Sequence, residues 1–164
     1  MDTSVVINLL ATGRMSDIVG CLGINILVPS QVRREVLRDP ISKLPLDENN
    51  HPLDRVEGVK IVALSASSLA LFLSLVEGEA AHGLGDGEAA AIAHAATGNH
   101  AVAIDERKAR RILHSHFSEI SLVSSIEILT SPLVAAALTS IGAQKAIDDA
   151  NMFGRMHIPR DLRP

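Results

Sequence analysis

Short aliphatic segments at residues 24–28, 59–64, 101–104 and 120–123 alternate along the chain with stretches whose apolar residues recur at helical spacing. This alternation narrows the fold more than any other feature, because parallel strands need a helix-length crossover between them. The expected arrangement is α/β: a central, mainly parallel sheet wound by right-handed crossovers, with helices on both faces as a three-layer sandwich. In such sheets the functional site forms beyond the carboxyl ends of the strands. Residues at those ends are therefore weighed first.

Between the strands, helices are expected over residues 4–11, from Ser16, and over 31–38 with Ser30 as N-cap and Asp39-Pro40 as the stop. Further helices are expected over 67–76, 88–96 and 106–114, then from 124 onward with Gly142 separating the last two. The length of 164 residues suits one domain, with a loop insert at 39–58, C-terminal helices at 132–150 and a polar tail at 151–164. Leu133, Val134, Leu138 and Ile141 supply an apolar face for core packing or a homodimer.

Composition limits the function. Hydrophobic residues make up 47% and charged residues 21%, which favours a packed core over disorder. Three phenylalanines are the only aromatics among Phe, Trp and Tyr. The core must be aliphatic, and nucleic acid would be held through phosphates rather than base stacking. Cys21 is the single cysteine, so no intramolecular disulfide can form, and no apolar run approaches the ~20 residues of a membrane span. A cytoplasmic protein with no membrane partner is expected. The net charge of -4 does not exclude a nucleic-acid substrate. Setting four of the 19 acidic residues aside as metal ligands leaves 15 against 15 Lys and Arg.

Four carboxylates stand at positions where such a sheet would expose them. Asp105 ends the strand at 101–104, where it suits either a site at the sheet's lip or the cap of the following helix. Glu88 opens an alanine-rich helix, where the helix dipole also favours a carboxylate. Glu35 lies in the helix after the first strand, and Asp2 opens the chain's first helical stretch. Arg107, Lys108, Arg110 and Arg111 form the densest basic run, with 107, 110 and 111 on one helical face. Other signals fail. Gly83-Leu84-Gly85-Asp86-Gly87-Glu88 lacks the last glycine of a dinucleotide fingerprint, and the scattered histidines give no zinc spacing.

These residues fall into ordered motifs: Asp2-Thr3-Ser4, Pro29-Ser30-Gln31-Val32-Arg33-Arg34-Glu35-Val36, Gly87-Glu88-Ala89-Ala90-Ala91-Ile92 and Ile104-Asp105-Glu106-Arg107-Lys108-Ala109-Arg110-Arg111. In that order they resemble the PIN-domain family, and within it the branch of VapC-like toxin ribonucleases. The resemblance implies that Asp2, Glu35, Glu88 and Asp105 gather at one end of the sheet as ligands for Mg²⁺ or Mn²⁺, with Ser4 orienting a carboxylate. Asp86 is a possible fifth acidic member, with the cap of the following helix its favoured role. The implied activity is hydrolysis of RNA phosphodiesters, with the basic run holding phosphates. A small antitoxin and a second copy of the chain are the implied protein partners.

The chain departs from the family's pattern in one respect. PIN domains usually carry a short aliphatic strand before the first Asp, central in the sheet, and here Met1 alone precedes Asp2. Without a substitute, its neighbours would lack hydrogen-bond partners.

Overall fold

The computed structural model describes residues 1–77 and 84–158. Helix α1, Thr3–Ala11, starts where Asp2 caps it, the carboxylate accepting from Val5 N–H at 2.8 Å. Helix α2, Met15–Leu22, ends on Gly23 in the left-handed region at φ 65, a conformation glycine adopts without steric cost. Strand β1, Ile26–Pro29, runs directly into α3, Ser30–Glu35. The expectation for α3 is corrected at both ends. Pro29 holds the N-cap position while Ser30 Oγ turns to Gln31, and the helix stops at Glu35 as Val36 leaves helical geometry at ψ 81. Val36 is buried and Leu37 is 69% exposed, so the turn sends one apolar residue to the core and the next to solvent.

The insert that follows is ordered by local bonds. An antiparallel bridge joins Arg38 to Pro45, and 3-10 turns form at Glu48–Asn50 and Pro52–Arg55. Buried His51 ties it down, with Nε2 3.1 Å from Val36 O and Nδ1 accepting from Leu53 N–H at 3.3 Å. The chain continues through β2, Val59–Val62, and α4, Ala66–Glu77. Gly83, the first residue of the glycine-rich stretch, lies outside the described residues. Helix α5, Asp86–Gly98, β3, Val102–Ala103, α6, Arg107–His116, and β4, Leu122–Val123, follow.

Helix α7, Ser125–Leu129, carries a capping box between Ser124 and Glu127. Helix α8, Pro132–Asp149, is broken at Thr139 (φ 63, ψ 162) rather than at Gly142. Its apolar residues divide between two environments. Val134 and Leu138 are buried, while Leu133 and Ile141 are 55% and 83% exposed, so they do not form one face. The tail is also corrected: a π-helical turn spans Ala150–Gly154, and Met156 and Ile158 are buried against the core.

The sheet is built from two parallel pairs. β1 pairs β2 with Ile26 opposite Val59, and β3 pairs β4 with Val102 opposite Leu122. The place between β1 and β3 is bridged by the chain's first two residues. Met1 N donates to Leu27 O at 3.2 Å and Asp2 N to Ala103 O at 3.0 Å. Beyond this bridge a largely apolar cavity of about 420 Å³ remains, lined by Ile24, Asn25, Leu27, Ala101, Ala103 and His94 among others. Two residues thus make the link between the strand pairs.

Apolar clusters cover both faces of the strands. One joins α1, α2, α7 and α8 to Ile26, Val28 and Ala103, and the other joins α4, α5 and α6 to Val102 and Ile104. Alternate residues of β3 feed opposite clusters, as expected for a parallel strand buried on both sides. This is the layered α/β architecture expected from the sequence. No single helix among the described residues is long and apolar enough to cross a membrane.

Candidate active site

Asp2 is fully buried, and its carboxylate is held by Val5 N–H and by Ser4 Oγ at 3.0 Å. Burial pushes its pKa up to about 6, and the charge of Asp105 adds to the rise against those two hydrogen bonds and the nearby chain amine. Met1's amine is itself lowered to about 6 by burial, with the charge of Asp2 opposing. A carboxylate that needs charge compensation therefore sits at the point where the first two residues bridge the strand pairs.

Asp105 follows β3 and is gripped on both oxygens. Ser125 N donates to Oδ1 at 2.7 Å, while Ser125 Oγ at 2.5 Å and Asn8 Nδ2 at 2.7 Å converge on Oδ2. The helix after it is capped by Glu106 rather than Asp105, which leaves the Asp105 carboxylate to the sheet's lip.

Glu35 and Glu88 make a second grouping around the start of α5. Glu35 accepts from Thr3 Oγ1, and its Oε1 accepts from Gly87 N at 2.8 Å. Glu88 folds back so that Oε2 accepts from Gly85 N at 2.9 Å. Its pKa is raised by partial burial first, then by repulsion from Glu106 and Glu35. The absence of a side chain at Gly87 permits this approach, since a Cβ there would meet Thr3 Oγ1 and the Glu35 carboxylate. Asp86 is not the cap it was expected to be. Gly85 takes that position, and Asp86 is the first helical residue, exposed.

The basic run divides by role. Arg107, Arg110 and Arg111 line one open hollow beside α6. Arg107 and Arg111 are exposed, Arg107 with Nη2 3.4 Å from His157 Nε2. Arg110 is committed to the fold, donating from Nη1 to Ile104 O at 2.9 Å and standing 3.9 Å from Glu127. Lys108 is partly buried at the helix start.

The four expected carboxylates thus lie in two neighbouring pairings, Asp2 with Asp105 and Glu35 with Glu88. Among the described residues no group of three or more His, Cys, Asp or Glu side chains converges tightly enough to hold a metal ion as arranged. The donor chemistry nonetheless fits a hard divalent cation. All four are carboxylates, and Asp2 with Asp105 presents a charge repulsion that a cation would relieve. Sequence reasoning missed Thr3, Asn8 and Ser125, the residues that hold these carboxylates. Asn8 left one trace, as the single amide within the apolar run of α1.

Comparison with known proteins identifies the family. No curated protein and no solved structure matches the chain. A family model described as a PIN domain matches residues 1–149, a span that holds all four carboxylates and both strand pairs. The chain belongs to the PIN-domain family, whose members are generally nucleases.

Proposed function

We propose that the chain is a metal-dependent endoribonuclease, the toxin component of a toxin–antitoxin pair, hydrolysing RNA phosphodiesters at the carboxylate end of its sheet. The observation that carries this reading is buried Asp2, raised to about 6 and repelled by Asp105. A buried carboxylate with a second one close by is a place that a cation would stabilise. Asp2, Glu35, Glu88 and Asp105 would hold Mg²⁺ or Mn²⁺, with Asp86 an exposed carboxylate nearby. A divalent ion there would lower the pKa of a bound water and offset charge building on the phosphate. The protein's own part is to orient. Ser4 fixes Asp2, Thr3 and Gly87 N–H fix Glu35, and Gly85 N–H fixes Glu88.

Arg107, Lys108 and Arg111 would hold RNA phosphates beside the site, in keeping with the scarcity of aromatic stacking residues. Arg110 supports them from behind through Ile104 O. A small antitoxin covering the carboxylates and a homodimer belong to the same reading, and exposed Leu133 and Ile141 are available to a second copy. A cytoplasmic site of action goes with an RNA substrate.

Incubating the purified protein with labelled RNA and DNA in Mg²⁺ or Mn²⁺, beside Asp105→Asn, tests this. RNA cleavage lost in the variant supports it. Equal activity of the two proteins overturns the site, and cleavage confined to DNA overturns the substrate. A second reading, an RNA-binding scaffold without catalysis, is favoured by one observation: every one of the four carboxylates is engaged by donors of the protein itself. Binding of RNA without cleavage at any metal concentration would decide for it.

A further inference from the structure

Asn8 is 3% exposed in the middle of α1, on the face it shares with Val5 and Leu9. An amide there is a poor choice for stability. Asparagine is a weak helix former, and a buried amide must find partners for both its donors and its carbonyl. Asn8 finds them for its donors alone. Nδ2 donates to Asp105 Oδ2 at 2.7 Å and to Ser125 Oγ at 3.2 Å. Its Oδ1 is buried with no hydrogen-bond partner among the described residues. Asp105 Oδ2 is an acceptor, which sets the orientation of the amide.

The carbonyl is enclosed by the C-terminal π-helical turn. A Cβ at Gly154 would strike Asn8 Oδ1 and stand 3.0 Å from Asn8 Cα and 3.2 Å from Ala11 Cβ. The bare glycine thus leaves the space in which the Asn8 carbonyl sits, buried against the turn, while Nδ2 faces Asp105. With Ser125 Oγ donating to the same oxygen, the three side chains close a triangle. The triangle fixes the Asp105 carboxylate just beyond β3, the strand whose Ala103 O accepts from Asp2 N–H. An apolar residue would fill position 8 without leaving a buried carbonyl unsatisfied, a defect that costs roughly 1–3 kcal/mol.

We infer that Asn8 is a positioning residue: packed beside Gly154 and joined to Ser125, it holds the Asp105 carboxylate toward Asp2 so that the pair shares one divalent cation. The inference rests on the metal-site reading above and adds to it the residue that sets the site's affinity. Outer-shell partners of this kind are commonly worth 10–100-fold in metal affinity.

The test compares wild type, Asn8→Leu, Asn8→Ala and Asp105→Asn by Mn²⁺ titration calorimetry, with thermal unfolding of each metal-free protein. The expected result is Mn²⁺ binding at least tenfold weaker in both Asn8 variants, with metal-free Asn8→Leu melting no lower than wild type. A residue that served only the fold would lower the melting temperature and leave the affinity of the folded protein unchanged. Asn8 variants that bind Mn²⁺ as tightly as wild type, while Asp105→Asn binds weakly, overturn the inference and leave the site standing. Asp105→Asn binding as wild type does, or wild type failing to bind, overturns the site reading and the inference with it.

Discussion

The backbone N–H of Gly87 donates to Glu35 Oε1 at 2.8 Å, joining the end of α3 to the first turn of α5. The bond is possible because position 87 carries no side chain. Two of the sequence motifs, those of Glu35 and of Glu88, meet at this contact, and it leaves little volume to spare.

Gly87→Ala should therefore be costly although alanine is the better helix former. The added methyl meets Thr3 Oγ1 and the Glu35 carboxylate, an overpacking that typically costs 1–3 kcal/mol. Gly85→Ala meets only Glu88 Oε2, at an ordinary 3.8 Å, and serves as the control. Thermal unfolding and nuclease assays should show loss of activity of tenfold or more in the first variant and little change in the second. Equal behaviour of the two would refute the crowding argument.

Asp2 should place its own signature on stability against pH. Its folded pKa, about 6, is raised above the ordinary 3.8, so the folded state binds this proton more tightly than the unfolded chain. The sign follows: Asp2's contribution to stability is greatest below pH 3.8 and is lost as pH rises from there through about 6. Asp2→Asn removes that slope and should stabilise the metal-free protein at pH 7 by on the order of 1–3 kcal/mol, while abolishing metal-dependent cleavage. Urea unfolding from pH 4 to 7 checks it. A variant less stable than wild type at pH 7 would contradict the burial argument.

Residues added before Met1 should enter the cavity between β1 and β3. Ile26 N bonds Gly58 O and Val102 N bonds Ser121 O. By the alternation of a parallel ladder, Leu27 and Ala103 then turn toward the gap. Three or four aliphatic residues would replace the buried amine of Met1 with an amide and bury side chains worth about 1.5–3 kcal/mol each when fully enclosed. The melting temperature should rise by several degrees, whereas a Gly/Ser extension of equal length should gain little. No difference between the extensions would show that the gap does not accept a strand.

The basic residues of α6 should separate by function. Arg107→Ala and Arg111→Ala should each weaken RNA binding and flatten its logarithmic salt dependence by roughly 0.7 per lost phosphate contact. Arg110→Ala should instead lower stability, through loss of the bond to Ile104 O. An unchanged salt slope in the first two variants would remove them from the RNA-binding surface.

Much of this fold is legible in the sequence because its signals are local. Helical periodicity, the aliphatic runs and the position of Asp105 at the end of β3 depend on neighbours within a turn or a strand. Ends of elements are less legible. Ser30 resembles a cap but follows Pro29, whose φ of -57 and extended ψ already lead into the helix. Gly142 resembles a break, yet the chain bends at Thr139. The tail reads as polar and loose, but Met156 and Ile158 find the apolar cluster beside α1 and α8. That outcome depends on distant partners.

The sequence by itself determined the layered α/β class and the order of the elements, since both follow from short-range pattern, and it singled out four acidic positions as candidates. The tertiary structure alone decided what those positions experience. Asp2 is raised because folding buries it beside Asp105, and Glu35 is held by a glycine N–H from a helix 52 residues further on. Asn8, Thr3 and Ser125 became part of the site only through contacts across 97, 32 and 20 residues of chain. Burial and charge repulsion depend on distance in space, which spacing along a chain does not encode.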